Sequence, residues 1–176
     1  MSRTSDRRPA PLSPEQQETW FAYMRVMLRL SYEMNRQLQT DSDLSLADYD
    51  VLNALADSPD GRLQLTALAT RLAWERSRLS HHLQRMSARG LVERSPSATD
   101  RRATDAVLTD AGRAALTAAA PGHADLVRRM FFDGLDPALL PALHTALDQV
   151  HEQVLATGTL PRPAEQTRLP GLRTGR

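Results

Sequence analysis

Arginine carries most of the chemistry this chain can offer. All 22 of its Lys/Arg positions are arginine, and cysteine is absent. Disulfides, thiolate metal sites, cysteine nucleophiles, thiol redox sensing, Schiff-base lysines and phosphate-loop lysines are therefore excluded within the sequence. The arginines are clustered. Residues 62–102 hold nine Arg and three acids, net +6, whereas residues 12–61 come to −6 and residues 103–159 to −4. A basic centre between acidic flanks is what a nucleic-acid surface looks like in one dimension. A solvated charged face gives the same count, so charge alone does not separate the two.

The remaining polar constellations are weaker. His81 and His82 are adjacent, and neighbours on a helix point about 100° apart, which does not suit a shared metal. His81 is the better placed for polar contact, and His82 for packing or solvent. His144, Asp148 and His151 follow i, i+4, i+7 spacing and share one helix face, the arrangement zinc could use. They also flank an apolar stripe, where polar rim residues belong in any case, and no metal or other cofactor is expected. His151-Glu152 starts H-E-x-x-H but meets Leu155. With no G-x-S-x-G, no G-x-G-x-x-G and no phosphate loop, the sequence offers no enzyme.

The elements that must position the arginines are legible from caps and periodicity. Residues 1–11 are rich in Pro, Arg and Ser, have no apolar core of a secretory signal, and are expected to be disordered. Ser13-Pro14-Glu15-Gln16 starts a helix with a capping box, and its apolar residues recur at Trp20, Met24, Met27 or Leu28, Met34 and Leu38, to an end near Thr40. Ser45, supported by Asp48, caps a second helix that buries Tyr49, Leu52, Leu55 and Ala56. A turn at 57–61 leads to a short strand through Leu63 and Leu65. Thr66 caps a third helix, a break falls at Ala73-Trp74-Glu75, and a fourth helix over Arg76–Arg89 buries Leu79, Leu83 and Met86 before Gly90 ends it. Residues 91–94 and 104–108 form a hairpin around a polar loop tipped by Asp100-Arg101-Arg102. Thr109 caps a fifth helix, in which Pro121-Gly122 predicts a kink or short break. Asp136-Pro137 starts the last helix, whose apolar residues Leu140, Leu143, Leu147, Val150 and Val154 are spaced like a heptad seam. The residues from Gly158 on are expected to be mobile. No apolar run reaches the roughly 20 residues of a membrane span, and the default is a soluble, cytoplasmic protein.

Helix, tight turn, helix and hairpin in that order make a helix-turn-helix with a β-wing. The second helix leaves Arg76, Ser77, Arg78, Ser80, His81, Gln84, Arg85 and Arg89 outside, donors suited to base edges and phosphates. Arg71, Arg89 and Arg94 are either solubilising or phosphate contacts. The segment from LATRL to DAG, with Asp100, Arg102, Leu108 and Thr109 in a D-x-R-x-x-x-x-x-L-T wing and Gly90-Leu91-Val92 with Arg94 at the helix-to-wing junction, resembles the MarR family of winged-helix regulators across roughly residues 12–157. The fold class implied is mainly α with a small β-hairpin wing. A winged helix-turn-helix at 45–109 joins an N-terminal dimerisation helix at 12–44 and C-terminal dimerisation helices at 110–157, between a disordered arm (1–11) and tail (158–176).

The resemblance further implies a homodimer, held through the Leu140–Val154 stripe, on a pseudo-palindromic operator in double-stranded DNA. It would usually act as a repressor and would be relieved by a small-molecule effector whose site the sequence does not assign. Arg76, Ser77, Arg78, Ser80, His81 and Arg85 would lie on the recognition helix. Asp100 would orient the wing, and Arg101 or Arg102 would enter the minor groove. Glu75 stands where many members carry a Ser or Thr cap. A winged-helix interaction module without specific DNA binding is the alternative, and the arginines argue against it.

Overall fold

The computed structural model describes residues 10–97, 100 and 102–163. The chain divides into two compact units, one up to Glu33 and one from Met34 onward. The boundary falls within the first helix, α1 (Pro14–Ser42). In the first unit the capping box forms as expected: Gln16 N–H donates to Ser13 Oγ at 3.2 Å, and Ser13 N–H donates to Gln16 Oε1 at 2.9 Å. Met24 and Met27 are half-buried, while Trp20, Phe21, Tyr23, Val26, Leu28 and Tyr32 are exposed.

The second unit holds the core. α2 (Leu46–Ala56) starts at a complete capping box, with Ser45 Oγ accepting from Asp48 N–H at 3.0 Å and Asp48 Oδ2 accepting from Ser45 N–H at 2.9 Å. It buries Val51, Leu52, Ala54 and Leu55 completely. A short turn at Pro59–Gly61, with Asp60 and Gly61 both at positive φ, turns the chain into β1 (Arg62–Gln64). There follow α3 (Leu65–Leu72), α4 (Arg76–Ala88), β2 (Val92–Pro96), β3 (Thr104–Leu108), α5 (Asp110–Val127) and α6 (Leu140–Thr157). The sheet is antiparallel in the order β1-β3-β2. Leu63 pairs with Ala106, and Arg94 pairs with the same residue from the other side. β3 is thus the central strand, which explains why Ala106 and Leu108 are buried. Leu38 from the end of α1, the apolar faces of α2, α3 and α4, and the inner face of the sheet close one aliphatic core.

Three expectations need correction. Leu65 opens α3 instead of ending a strand, so Thr66 is not the cap. Gln64 takes that position without a side-chain cap bond, and the Thr66 hydroxyl donates to Gln64 Oε1 at 2.7 Å. Burying Leu65 in the core outweighs the better local cap. α5 runs unbroken through Pro121, because Leu116, Ala119, His123 and Leu126 keep both halves packed inward. The helix loosens about two turns later instead, in a π-type turn at Arg128–Phe132 where Asp133 N–H reaches back to Arg128 O at 2.9 Å. The last helix begins with a tight turn at Pro137–Leu139, capped by Asp136, and becomes α-helical at Leu140.

Thr109 caps α5 as expected, and its hydroxyl also donates to Gly90 O at 2.7 Å, tying the end of α4 to the start of α5. Gly112 is required at this junction, since a Cβ there would stand 2.0 Å from the Leu91 carbonyl oxygen. Most of the expected N-terminal arm and C-terminal tail lies outside the described residues. Arg162 pairs with Glu152 at 2.8 Å.

Candidate nucleic-acid interface

α3 and α4 are set by a sharp turn. Ala73 takes the left-handed conformation at φ 54°, and Trp74 N–H returns to Ala69 O at 2.9 Å. α4 then places Leu79, Leu83 and Met86 in the core at 0% exposure. With 3.6 residues per turn, the opposite face is fixed. Arg76, Ser77, Arg78, His81, Gln84 and Arg85 are exposed on it, and Ser80 is half-buried. Glu75 precedes the first turn and makes no capping bond, so the N–H groups of that turn are not covered by a side-chain cap.

Behind this face lies a connected polar cluster. The Arg78 guanidinium carbon sits 4.4 Å from the centre of the Trp74 ring, and Trp74 meets His82 edge-on with centroids 5.3 Å apart. His82 Nδ1 is 2.9 Å from an Arg85 Nη, and His82 Nε2 is 2.9 Å from Asp48 Oδ1. Asp48 also accepts from Arg89 at 2.9 Å. Burial alone would raise the Asp48 carboxyl pKa. The close contact with His82 and the two Ser45 hydrogen bonds together hold it well below the ordinary carboxylate value.

The wing is built by β2 and β3. At its tip Asp100 Oδ1 accepts from Arg102 N–H at 2.9 Å, and Ala103 N–H donates to Asp100 O at the same distance. The Asp100 side chain thus orders the turn that carries Arg102. Arg94, Ser95, Pro96, Arg102, Ala103 and Thr104 line a groove at the wing, with Arg94 and Arg102 exposed. Arg101 lies outside the described residues.

The basic centre is not all surface charge. Arg62 ties the three strands together, donating to Ser95 Oγ at 2.9 Å and to Asp105 at 3.3 Å. The Arg71 side chain is only 5% exposed and pairs with Asp57, so it is not presented to an outside phosphate. Arg89 bridges Asp43 and Asp48. Arg76, Arg78, Arg85, Arg94 and Arg102 remain exposed without an ion pair among the described residues. Sequence reasoning overlooked Trp74 and undervalued His82. The i, i+4 step Arg78–His82 within α4 was the available signal for His82, because residues four apart on a helix share a face, whereas Trp74 lies in the turn before α4, where spacing gives no signal.

The heptad-spaced residues of α6 face outward. Leu140 is 39% exposed, Leu147 47%, Val150 62% and Val154 58%, Leu143 is half-buried, and no residue of the helix is buried. His144 and Asp148 form an exposed pair at 3.3 Å, and no group of three metal-ligating side chains occurs among the described residues. Deeper in the unit, the Tyr49 and His123 rings pack at a tilt of 46° with centroids 4.5 Å apart. Burial pushes His123 down and Tyr49 up, and it pushes the Asp50 carboxyl up to about 6. No helix among the described residues is long and apolar enough to cross a membrane.

A buried-core helix presenting arginines, a tight turn before it and an arginine-tipped hairpin after it define a winged helix-turn-helix protein. A profile of the MarR family matches residues 42–103. The structure of Sco3205, a MarR family transcriptional regulator from Streptomyces coelicolor in complex with DNA, is 37% identical with a TM-score of 0.79, covering 86% of this chain and 98% of that one. AbsC, another MarR family regulator from Streptomyces coelicolor, is 34% identical with a TM-score of 0.78, covering 85% and 100%. BpsR of Bordetella bronchiseptica, whose DNA binding is regulated by 6-hydroxynicotinic acid, is 26% identical with a TM-score of 0.68, covering 81% and 99%. Comparison with curated protein sequences found no match. The chain belongs to the MarR family of transcriptional regulators, which are not enzymes.

Proposed function

We propose that this protein is a cytoplasmic, sequence-specific repressor that binds a pseudo-palindromic operator in double-stranded DNA as a homodimer and is released by a small-molecule effector. The observation that carries the reading is the two-sidedness of α4. Leu79, Leu83 and Met86 are locked in the core, while Arg76, Ser77, Arg78, His81 and Arg85 face outward with no ion pair among the described residues. Ser80 joins them at the edge of the core. Arginine side chains on such a face suit guanine edges and phosphates. The wing adds Arg102, ordered by Asp100, with Arg101 beside it in sequence, and either arginine suits a narrow minor groove.

The exposed apolar stripe on α6 supports the dimer. Leu140, Leu143, Leu147, Val150 and Val154 would be covered by a second copy, as would the exposed aromatic residues of α1. The winged helix-turn-helix at 45–109 would then read one half-site per protomer, with dimerisation helices at 12–44 and 110–157. The DNA-bound state of Sco3205 and the ligand control of BpsR are the precedents for operator and effector. An effector would act by favouring a dimer in which the two recognition helices are wrongly spaced.

A mobility shift with the DNA upstream of the protein's own gene, run at several salt concentrations, tests the reading. Competitor-resistant binding that weakens steeply with salt is expected. Failure there and in a selection from random duplexes would contradict it and favour an interaction module.

A further inference from the structure

We propose that His82, a residue without DNA contact of its own, is a positioning residue that fixes the pose of Arg85 on the DNA-facing surface, with Trp74 doing the same for Arg78. The inference rests on reading α4 as the DNA-facing helix. His82 is buried and cannot reach a duplex. Its two ring nitrogens nevertheless have opposite jobs. Nε2 lies against Asp48, 2.9 Å away on α2, and a neutral imidazole with its proton on that side leaves Nδ1 as an acceptor. An Arg85 guanidinium nitrogen, which can only donate, lies 2.9 Å from Nδ1. Asp48 is itself fixed by the Ser45 capping box and by Arg89. The order of the α2 N-terminus is thereby passed through one ring to an exposed arginine.

Arg85 has a second, longer contact of 3.4 Å to the His81 carbonyl oxygen. The two together hold a long side chain that would otherwise sample many rotamers. On the other edge of His82, Trp74 lies between the His82 ring and the Arg78 guanidinium, so both arginines lean on one buried support. An arginine held in its binding pose loses less freedom on contact with a base or phosphate, and immobilising a long side chain is where much of an interface's affinity is lost.

The test is a double-mutant cycle on operator affinity, using the duplex that the wild-type protein selects from a random-sequence pool. H82L removes the acceptor and should weaken binding about 2- to 10-fold. In an R85A background the same substitution should change affinity by less than about 2-fold, because the group it acts through is gone. H82N places an amide oxygen where Nδ1 stood and should restore near-wild-type affinity. H82Q places an amide where Nε2 stood and should not. W74L should be coupled to R78A in the same way. If H82L fails to fold, the contrast between H82N and H82Q carries the test alone.

Equal losses from H82L with and without Arg85, or H82N as weak as H82Q, would overturn the proposal while leaving DNA binding intact. A wild-type protein that selects no duplex would overturn the DNA reading and this inference with it, before any His82 variant is made.

Discussion

Replacing Asp48 with Asn keeps the shape of the side chain and removes its charge. The Asp48 side chain is 6% exposed and takes hydrogen bonds or close contacts from Ser45 N–H, His82 Nε2 and an Arg89 guanidinium nitrogen, each at 2.9 Å. Hydrogen bonds to a charged group are worth about 1.5–3 kcal/mol each when buried. The Arg89 side chain is 38% exposed, so its share is discounted to the value of a surface pair, at most about 1 kcal/mol. An Asn side chain can still accept from Ser45, but its amide presents the wrong group to one of the other two partners. D48N should therefore cost about 2–4 kcal/mol at pH 7.

The pH dependence fixes the cause. The folded-state pKa of Asp48 lies below its ordinary value of 3.8, so the charge contributes its full stability above pH 3.8 and loses it as pH falls toward the folded value. At pH 3 the unfolded chain already binds most of a proton at this position while the folded chain does not. The gap between wild type and D48N should be about 1 kcal/mol smaller there than at pH 7. Urea unfolding followed by circular dichroism, at one protein concentration throughout, measures both numbers. A loss under about 0.5 kcal/mol at pH 7, or a gap equal at both pH values, would refute the argument, since the expected loss is at least about four times that.

Asp50 should behave in the opposite sense. Burial lifts its carboxyl to about 6, so ionising it costs stability as pH rises through that value. Asp50→Asn should stabilise the protein by about 1–2 kcal/mol at pH 7, with the gain fading as pH falls toward 4, by the same unfolding assay. Arg102→Ala should weaken operator binding about three- to tenfold and reduce A·T preference beside the half-sites, and unchanged affinity in a mobility shift would count against the wing. Leu147→Asp puts a charge in the middle of the exposed α6 stripe and should yield monomers in sedimentation that no longer bind operator. A stable dimer would remove that stripe from the interface.

The parts legible in the sequence are those that local chemistry decides. Ser13 with Gln16, Ser45 with Asp48, and Thr109 each cap the helix they announce. The 3.6-residue spacing of Leu79, Leu83 and Met86 separates the buried from the exposed side of α4, and the MarR resemblance rests on the wing that follows it. What stayed hidden depends on residues far apart in the chain. The short strand through Leu63 was expected, but its end at Gln64 and its pairing with β3, more than 40 positions on, were not. Arg71 looks like any surface arginine until Asp57 is placed beside it. Pro121 reads as a breaker, and only the packing of Ala119, His123 and Leu126 shows why the helix continues.

Footprinting of the protein on the duplex it selects from a random pool tests the central claim most directly. The account predicts two protected half-sites about 10 bp apart, centre to centre, on one face of the DNA, each needing Arg78 and Arg85. A single protected site, or protection with no sequence preference, would contradict a dimer that reads DNA through α4.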